Sequence, residues 1–536
     1  MPIITRLSNI KILAIDDLAG MRTQLTATLV TLGFERLSVC SGIREAMERL
    51  SELAYDVIIC DYYLGDATSG QQFLEHLRAK ALIPPSTIFI MITAESGYVP
   101  VIRAAECAPD DYLVKPFTAA QFEARVIKLI EKRERLFPVH AAIEAGDIGQ
   151  AVAQCDAVIH AKDRFSNDAL KLKGSLLFKA GEYAKAQDVY QSVLDMRSIG
   201  WAQLGLARSL KAQNDGAKAE TILEALIAEN KHMMGAYDTL AEILSDTDRD
   251  KQALSVLQRA TSVSPGTVAR LRSMGRVAIA AGDAEIAEKT VRQLISEHKY
   301  SPVKEAGDYL MAASVLSGAG HPDEALSMVS AARGTFATDA DRQTLSVAEA
   351  TAHIARGDKE AAACALDGIR EASAGSLDRE TVAALGKALY TVGDDARGRK
   401  YLQYLVHNNP DDPKVLREVQ ATLSAAGKPD EAKAMVEGFR QEVIDENNAG
   451  VRLAQAGQLD EAIGKLTDAA ERLPGNLQII SNAALVLALA ISKKHPSKQR
   501  MQDCLKYRKL MLLRDPNHPK LVQIDTLLAQ WKSAPA

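Results

Sequence analysis

Five side-chain positions in the first 120 residues could do chemistry together: Asp16-Asp17, Asp61, Thr93 and Lys115. Each follows a short apolar run. Three carboxylates gathered in one pocket repel each other, and a cation is needed to hold them ionised at neutral pH. Hard oxygen ligands with room for water suit Mg²⁺. A carboxylate beside such a cation and a lysine can act as a nucleophile towards phosphorus. The metal and the ammonium would then neutralise charge gathering on the transferred phosphoryl oxygens.

The elements that must position these groups are legible. Ile12–Ile15, Val57–Cys60 and Ile88–Thr93 are β-rich runs closed by polar residues, with Leu37–Val39 and Tyr112–Val114 as weaker candidates. Helical stretches lie between them at Ala19–Leu32, Gly42–Leu53, Gly70–Ala81, Val99–Ala105 and Thr118–Phe137. Strands alternating with helices predict an α/β doubly wound parallel sheet of five strands. The carboxyl ends of such strands share one edge, so the five positions should converge there.

These residues, in type, order and strand context, resemble the receiver domain of response regulators over residues 9–135. The resemblance makes Asp61 the phosphoacceptor. It implies that Asp17 binds Mg²⁺ directly, Asp16 mainly through water, and that the backbone carbonyl of Tyr63 completes the protein ligands. Lys115 would pair with one phosphoryl oxygen and Thr93 would swing in to hydrogen-bond another. Ala94 would keep access open, Tyr112 is the aromatic whose burial accompanies activation, and Pro116 follows a bond that is often cis. Such a domain catalyses only its own phosphoryl transfer and dephosphorylation, so an enzyme acting on other substrates is not expected. There are departures. Gly70 lies nine residues after Asp61, one more than is common, beyond the loop Leu64–Ser69, and Tyr63 and Glu95 occupy positions that tune dephosphorylation.

After Pro138 the strand signal ends and a periodic helical pattern begins. A breaker is followed five residues later by a small residue: Gly146/Ala151, Gly181/Ala186, Asn214/Ala219, Asp248/Ala253, Gly282/Ala287, Gly320/Ala325, Gly357/Ala362, Gly393/Gly398, Gly427/Ala432 and Gly457/Ala462. A spacing near 34 residues is that of a two-helix solenoid repeat. The unit Tyr237, Leu240, Ala241, Leu244, Ala253, Leu257, Ala260, Pro265 resembles the tetratricopeptide repeat, and so does the placement of Gly174, Gly275, Gly386, Gly450, Pro410 and Pro474. The first unit lacks a clear first helix, and the units around 325–398 are stretched. The expected organisation is a receiver at 1–137, an all-α tetratricopeptide-type superhelical array of about nine to ten helix pairs at 138–475, and a terminal pair with a capping helix at 476–536, with Asp515-Pro516-Asn517 as a turn.

Composition narrows the function. Of 536 residues, 47% are hydrophobic, ample for a folded core, so disorder is excluded as the main state. Net charge is −5, which argues against a nucleic-acid partner. Lys128, Lys132, Arg133 and Arg135 alternate with Glu131 and Glu134 and read as a solvated helix face with internal pairs. The apolar run at Ala483–Ile491 is too short to enter a membrane as a span, and the N-terminus has no leader pattern, so a cytoplasmic location is expected. The scattered cysteines predict no disulfide or zinc site; buried reduced thiols are expected. No phosphate-binding loop, nucleophile elbow or histidine metal motif occurs, and no winged helix follows the receiver.

The expected protein is therefore a two-component response regulator without DNA-binding output. A sensor histidine kinase or phosphotransfer protein would supply the phosphoryl group, and the repeats would bind a further protein in their groove. Candidate contacts on the first helices of the repeats are Tyr237, Arg270, Arg276, Tyr309, Arg417 and Arg452. The short, untethered junction at Phe137-Pro138 predicts a stiff joint sensing the face made by the fourth helix, fifth strand and fifth helix of the receiver. The alternative is a constitutive scaffold whose receiver is a docking module or phosphate sink.

Overall fold

Five parallel strands, β1 (Lys11–Ile15), β2 (Arg36–Cys40), β3 (Val57–Asp61), β4 (Ile88–Thr93) and β5 (Asp111–Val114), form one sheet in the order β2-β1-β3-β4-β5. This computed structural model describes all residues except 1–6, 66–68, 95–108, 298–303, 370–374, 428, 494–496, 516–517 and 534–536. The expected helix Val99–Ala105, Glu95, Cys107 and the Pro516-Asn517 turn lie outside the described residues. Helices α1 (Ala19–Thr31), α2 (Ile43–Glu52) and α3 (Gly70–Ala79) connect the strands, and α4 (Ala119–Glu144) follows β5.

β3 and β4 are buried throughout, as expected of strands covered on both faces. Their side chains alternate between two cores. Val57, Ile59, Ile90 and Ile92 join Leu25 and Leu29 of α1 and Phe122 and Val126 of α4. Ile58, Cys60, Phe89 and Met91 join Ala46 of α2 and Phe73, Leu74 and Leu77 of α3. The sheet is thus doubly wound.

Helix α4 differs from its sequence-based reading. The sequence predicts an end at Phe137, but the helix runs unbroken from Ala119 to Glu144 with Pro138 inside it. Proline removes one backbone hydrogen bond and costs about 3 kcal/mol in a helix interior. Leu136 and Val139, 3% and 0% exposed, flank it and pack with Ala151, Cys155 and Val158 of the following helix. Each such burial contributes roughly 1.5–3 kcal/mol, enough to outweigh the break. The missing first helix of the first repeat is therefore the end of α4 itself.

Helices α5 (Ile148–His160), α6 (Ser166–Lys179), α7 (Tyr183–Leu194), α8 (Gly200–Ala212), α9 (Gly216–Glu229), α10 (Met234–Asp246), α11 (Asp250–Val263), α12 (Val268–Ala281) and α13 (Ala284–Glu297) each pack on the next. Together with the sheet they form one compact unit, residues 1–304 apart from the turn 180–182. The second unit is residues 305–536 with that turn. It contains α14 (Ala306–Gly318), α15 (Pro322–Ala332), α16 (Asp339–Ala355), α17 (Lys359–Leu366), α18 (Arg379–Val392), α19 (Asp395–Asn408), α20 (Pro413–Ala425), α21 (Pro429–Gln455), α22 (Leu459–Arg472), α23 (Leu477–Ser492), α24 (Lys498–Arg514) and α25 (Pro519–Ser533). The apolar run at 483–491 lies in α23, within the core of that unit. Among the described residues no helix is long and apolar enough to cross a membrane.

All ten breaker residues have positive φ, from Asp248 at 57° to Gly393 at 93°. That left-handed turn closes one helix and starts its partner. The alanines paired with them, such as Ala151, Ala219, Ala253 and Ala462, are 0% exposed. The absence of a larger side chain there lets two helices touch. The shortest spacing, between Gly427 and Gly457, has its own cause. α21 runs 27 residues, so the second helix of one pair continues into the first helix of the next without a loop.

Candidate phosphoryl site

The polar edge of the sheet is built at four strand ends. Asp16 directly follows β1, and its amide donates to the Cys40 carbonyl at 3.2 Å. Asp61 is the last residue of β3 and Thr93 the last of β4. The Lys115 amide donates to the Thr93 carbonyl at 2.6 Å, which fixes the start of the lysine after β5. The Lys115–Pro116 bond is cis.

These ends converge. Lys115 Nζ lies 2.7 Å from Asp61 Oδ2 and 2.9 Å from Asp16 Oδ2. Carboxylate oxygens of Asp16, Asp17 and Asp61 all lie within 4.8 Å of one another. Asp16 and Asp61 are buried and Asp17 is more open. Burial pushes the Asp61 carboxyl above its ordinary range; Lys115 pulls it down, and the neighbouring Asp16 adds to the rise. For Lys115 burial acts to lower the pKa, but the two carboxylates outweigh it and hold the ammonium above its usual value. Three carboxylates with one ammonium leave negative charge uncompensated at the open side. That donor set fits a hard divalent cation, which Asp16, Asp17 and Asp61 would hold.

Thr93 is fully buried at the site and Ala94 is exposed beside it. Tyr112 is half-buried and packs on the α2–α3 side of the sheet. Tyr63 is 50% exposed, with its ring edge-on to Tyr62.

Several supporting residues were not singled out from the sequence. Arg22, in the first turns of α1, donates to the carbonyls of Asp16 at 2.7 Å and Asp17 at 2.8 Å, clamping the acidic pair. Its spacing of five and six residues from the pair was the available signal. Gly65, at φ +68°, lies against Asp17: a β-carbon there would stand 2.9 Å from its Oδ2. Gly70 begins α3, and its amide donates to the Tyr62 carbonyl at 2.9 Å. Ser69 and Gln72 close the capping box of that helix.

The basic run in α4 also departs from expectation. It is not a self-paired solvated face. Arg133 bonds Asp56 at 2.6 Å and the Ser86 carbonyl at 2.9 Å; Lys132 pairs with Asp168 at 2.9 Å; Arg135 pairs with Asp163, and Glu131 with Arg164. The run fastens the sheet on one side and the first repeats on the other.

Of the six residues expected to contact a partner, three are occupied by packing. Tyr237 and Tyr309 are 3% and 5% exposed. Arg259 lies over the ring of Tyr237, and Phe336 stands edge-on to Tyr309. Arg270 is buried, with bonds to Asp238 at 2.8 and 3.1 Å and to the Ser264 carbonyl at 3.2 Å. A side chain enclosed this way has no face to offer. Arg276, Arg417 and Arg452 are exposed. Of the described cysteines, Cys40, Cys60, Cys155 and Cys504 are buried as expected, but Cys364 is exposed.

A doubly wound sheet with three carboxylates and a lysine at one edge, joined to stacked helix pairs, is the architecture of a receiver fused to a repeat array. The chain belongs to the tetratricopeptide repeat family, whose model matches residues 159–443, and carries at residues 12–127 a response regulator receiver domain. Chemotaxis protein CheY-3 of Vibrio cholerae serotype O1 is 31% identical over 124 residues, 23% of this chain and 94% of that protein. The probable transcriptional regulator ycf27 of Porphyridium aerugineum is 26% identical over 190 residues, 34% of this chain and 76% of that protein. Among solved structures, a tetratricopeptide repeat protein from Parabacteroides merdae shares 16% identity over 49% of this chain and 98% of its own, with a TM-score of 0.34. The BeF3-activated DrrB receiver domain shares 27% identity over 23% of this chain and 97% of its own, with a TM-score of 0.21.

Proposed function

We propose that this chain is a cytoplasmic two-component response regulator in which phosphorylation of Asp61 changes protein binding by the repeats. The observation that carries the reading is the bridge from Lys115 to both Asp61 and Asp16, with Asp17 completing the acidic group.

A histidine kinase or phosphotransfer protein is the proposed donor. An Asp61 oxygen attacks phosphorus, the phosphorus–nitrogen bond of phosphohistidine breaks, and the electron pair returns to the imidazole, which takes up a proton. The product is an acyl phosphate on Asp61. Bound Mg²⁺ would lower the repulsion between this carboxylate and the incoming phosphoryl oxygens. Lys115, already held between two carboxylates, exchanges one of them for a phosphoryl oxygen. Thr93, buried at the neighbouring strand end, supplies a hydroxyl on the same edge. The added charge of about −1.5 to −2 then has to be accommodated by residues around the site.

Binding of a protein in the groove of the repeats is the proposed output; Arg276, Arg417 and Arg452 remain the exposed candidates from the first helices. A nucleic-acid partner is not proposed, in keeping with the net charge of −5. The unbroken α4 supports a stiff connection between input and output.

The test has two arms. Intact mass after incubation with acetyl phosphate and Mg²⁺ should rise by one phosphoryl group in the wild type and not in Asp61→Ala. Affinity capture with and without acetyl phosphate should then recover partners in different amounts from the wild type and in equal amounts from Asp61→Ala. Phosphorylation with identical capture in every arm would favour the constitutive scaffold.

A further inference from the structure

Beside the acidic group, the end of β3 and the start of α3 face the repeats. A cleft of ≈ 500 Å³ is lined by Asp17, Tyr63, Gly65 and Gln72 on the receiver side and by Thr267 and Glu297 on the repeat side. All of these belong to the first compact unit. The cleft lies on a different part of the receiver from the junction helix.

A hydrogen bond crosses it. Gln72 Nε2 donates to the backbone carbonyl of Glu297 at 3.3 Å. Glu297 is the last described residue of α13. Gln72 thus ties the start of α3 to this repeat helix. The other end of the same amide is also in use, because Gln72 Oε1 accepts from the Ser69 amide at 3.0 Å and so closes the cap of α3. Gly70, which follows Ser69 and begins the helix, is wedged against the Asp61 carbonyl. A short physical chain therefore runs from the phosphoacceptor through the start of α3 to the end of a repeat helix. On its open side Asp17 both belongs to the acidic group and lines the cleft. Occupancy of the site and the fit of the start of α3 against the repeats are thus linked through neighbouring residues.

We propose that the repeats read the occupancy of the acidic site through the start of α3, with Gln72 as the latch on α13. The coupling rests on the reading of the acidic group as a metal and phosphoryl site. It adds a route that does not pass through α4. Coupling between two sites is reciprocal, so loosening the latch must also change how tightly the acidic site holds its cation.

The experiment uses the full chain with Mg²⁺ and beryllofluoride as probes and follows two quantities: Mg²⁺ binding by calorimetry and hydrogen exchange of α13. Gln72→Glu is the informative variant. A glutamate keeps the oxygen that accepts from Ser69, so the α3 cap survives, but it turns the donor facing Glu297 into an acceptor. Gln72→Ala removes both bonds and serves as the second variant. In the wild type, ligand addition should change exchange at the end of α13 by about fivefold or more, and in Gln72→Glu that response should vanish while Mg²⁺ still binds with a shifted affinity. An unchanged α13 response in Gln72→Glu, or ligand binding in the wild type with no response in α13, overturns the coupling. If the wild type gives no Mg²⁺ heat beyond that of Asp17→Asn, the site reading itself fails and the coupling falls with it.

Discussion

The backbone at Gly70 lies so close to Asp61 that a β-carbon there would stand 2.2 Å from the Asp61 carbonyl oxygen and 3.0 Å from Cys60 Sγ. Neither obstacle is a flexible side-chain end that could swing away from strand β3. Gly70→Ala must push the start of α3 outward or displace the phosphoacceptor. We expect a loss of about 1–3 kcal/mol in urea denaturation. Phosphoryl uptake from acetyl phosphate should fall with it, although no side chain of the acidic group has changed.

Asp61 gives a pH dependence with a definite sign. Burial, with Asp16 adding to it, holds its folded-state pKa above the unfolded value in spite of Lys115. Between those two values the folded chain carries more bound proton than the unfolded one, so stability falls as pH rises through that window. The penalty is complete once the pH exceeds the folded-state value. Asp61→Asn removes it, so in the absence of Mg²⁺ this variant should melt above the wild type at neutral pH. The gap should narrow as the solution is acidified below the ordinary carboxylate range and should shrink on adding Mg²⁺ to the wild type. Thermal denaturation across that range, with and without the cation, measures both trends.

Removing the lysine should act the other way. In Lys115→Met the carboxylates of Asp16 and Asp61 lose the only ammonium within hydrogen-bond reach of both among the described contacts. A buried charge left without its partner is strongly destabilising. We expect a lower melting temperature at neutral pH than in the wild type, with a larger rise on addition of Mg²⁺. A variant that melts like the wild type under both conditions would contradict the geometry.

Arg133 offers a test of the joint. Its two bonds, to Asp56 and to the Ser86 carbonyl, hold α4 against the sheet. Hydrogen bonds to charged groups contribute about 1.5–3 kcal/mol, and both partners of the ion pair are mostly shielded from solvent. Arg133→Ala should lower stability by an amount of that order and raise hydrogen exchange along α4. Asp61 is not touched, so its phosphorylation by acetyl phosphate should persist.

In the repeats, the arginines separate into two kinds. Arg270→Ala should cost about 1–3 kcal/mol, because Asp238 and the Ser264 carbonyl lose their donor. Arg276→Glu, Arg417→Glu and Arg452→Glu should leave stability within about 0.5 kcal/mol of the wild type. Any change they cause in captured protein would then report the binding surface. Equal stability losses in both sets would remove the distinction.

How far the sequence could be read follows from the range of the interactions involved. Strand ends and αL turns are set by a few neighbouring residues, which is why Asp61, Thr93, Gly282 and Asp248 stand where their local patterns indicate. The four acidic and basic residues converge because parallel strands share an edge, a rule of topology rather than of detail. Pro138 was misleading because its local penalty is overridden by Leu136 and Val139, whose partners lie in the next helix. Arg270 and Tyr237 looked available because a helical stripe does not say which neighbour covers it. The partners of Arg133 and of Gln72 are 77 and 225 residues away in sequence, and no periodicity encodes such pairs.

The continuity of α4 has a consequence for how this molecule can be taken apart or altered. A cut at residue 137 would leave Leu136 on one fragment without the helices it packs against, and would take it out of the core the other fragment keeps, so neither piece ends on a natural surface. Length matters as much as integrity. One residue inserted into the middle of this helix turns everything downstream by about 100° about its axis and advances it by about 1.5 Å. Homologous exchange of the front module would thus have to preserve helical phase as well as fold, in the way that a key must match both the shape and the angle of its lock.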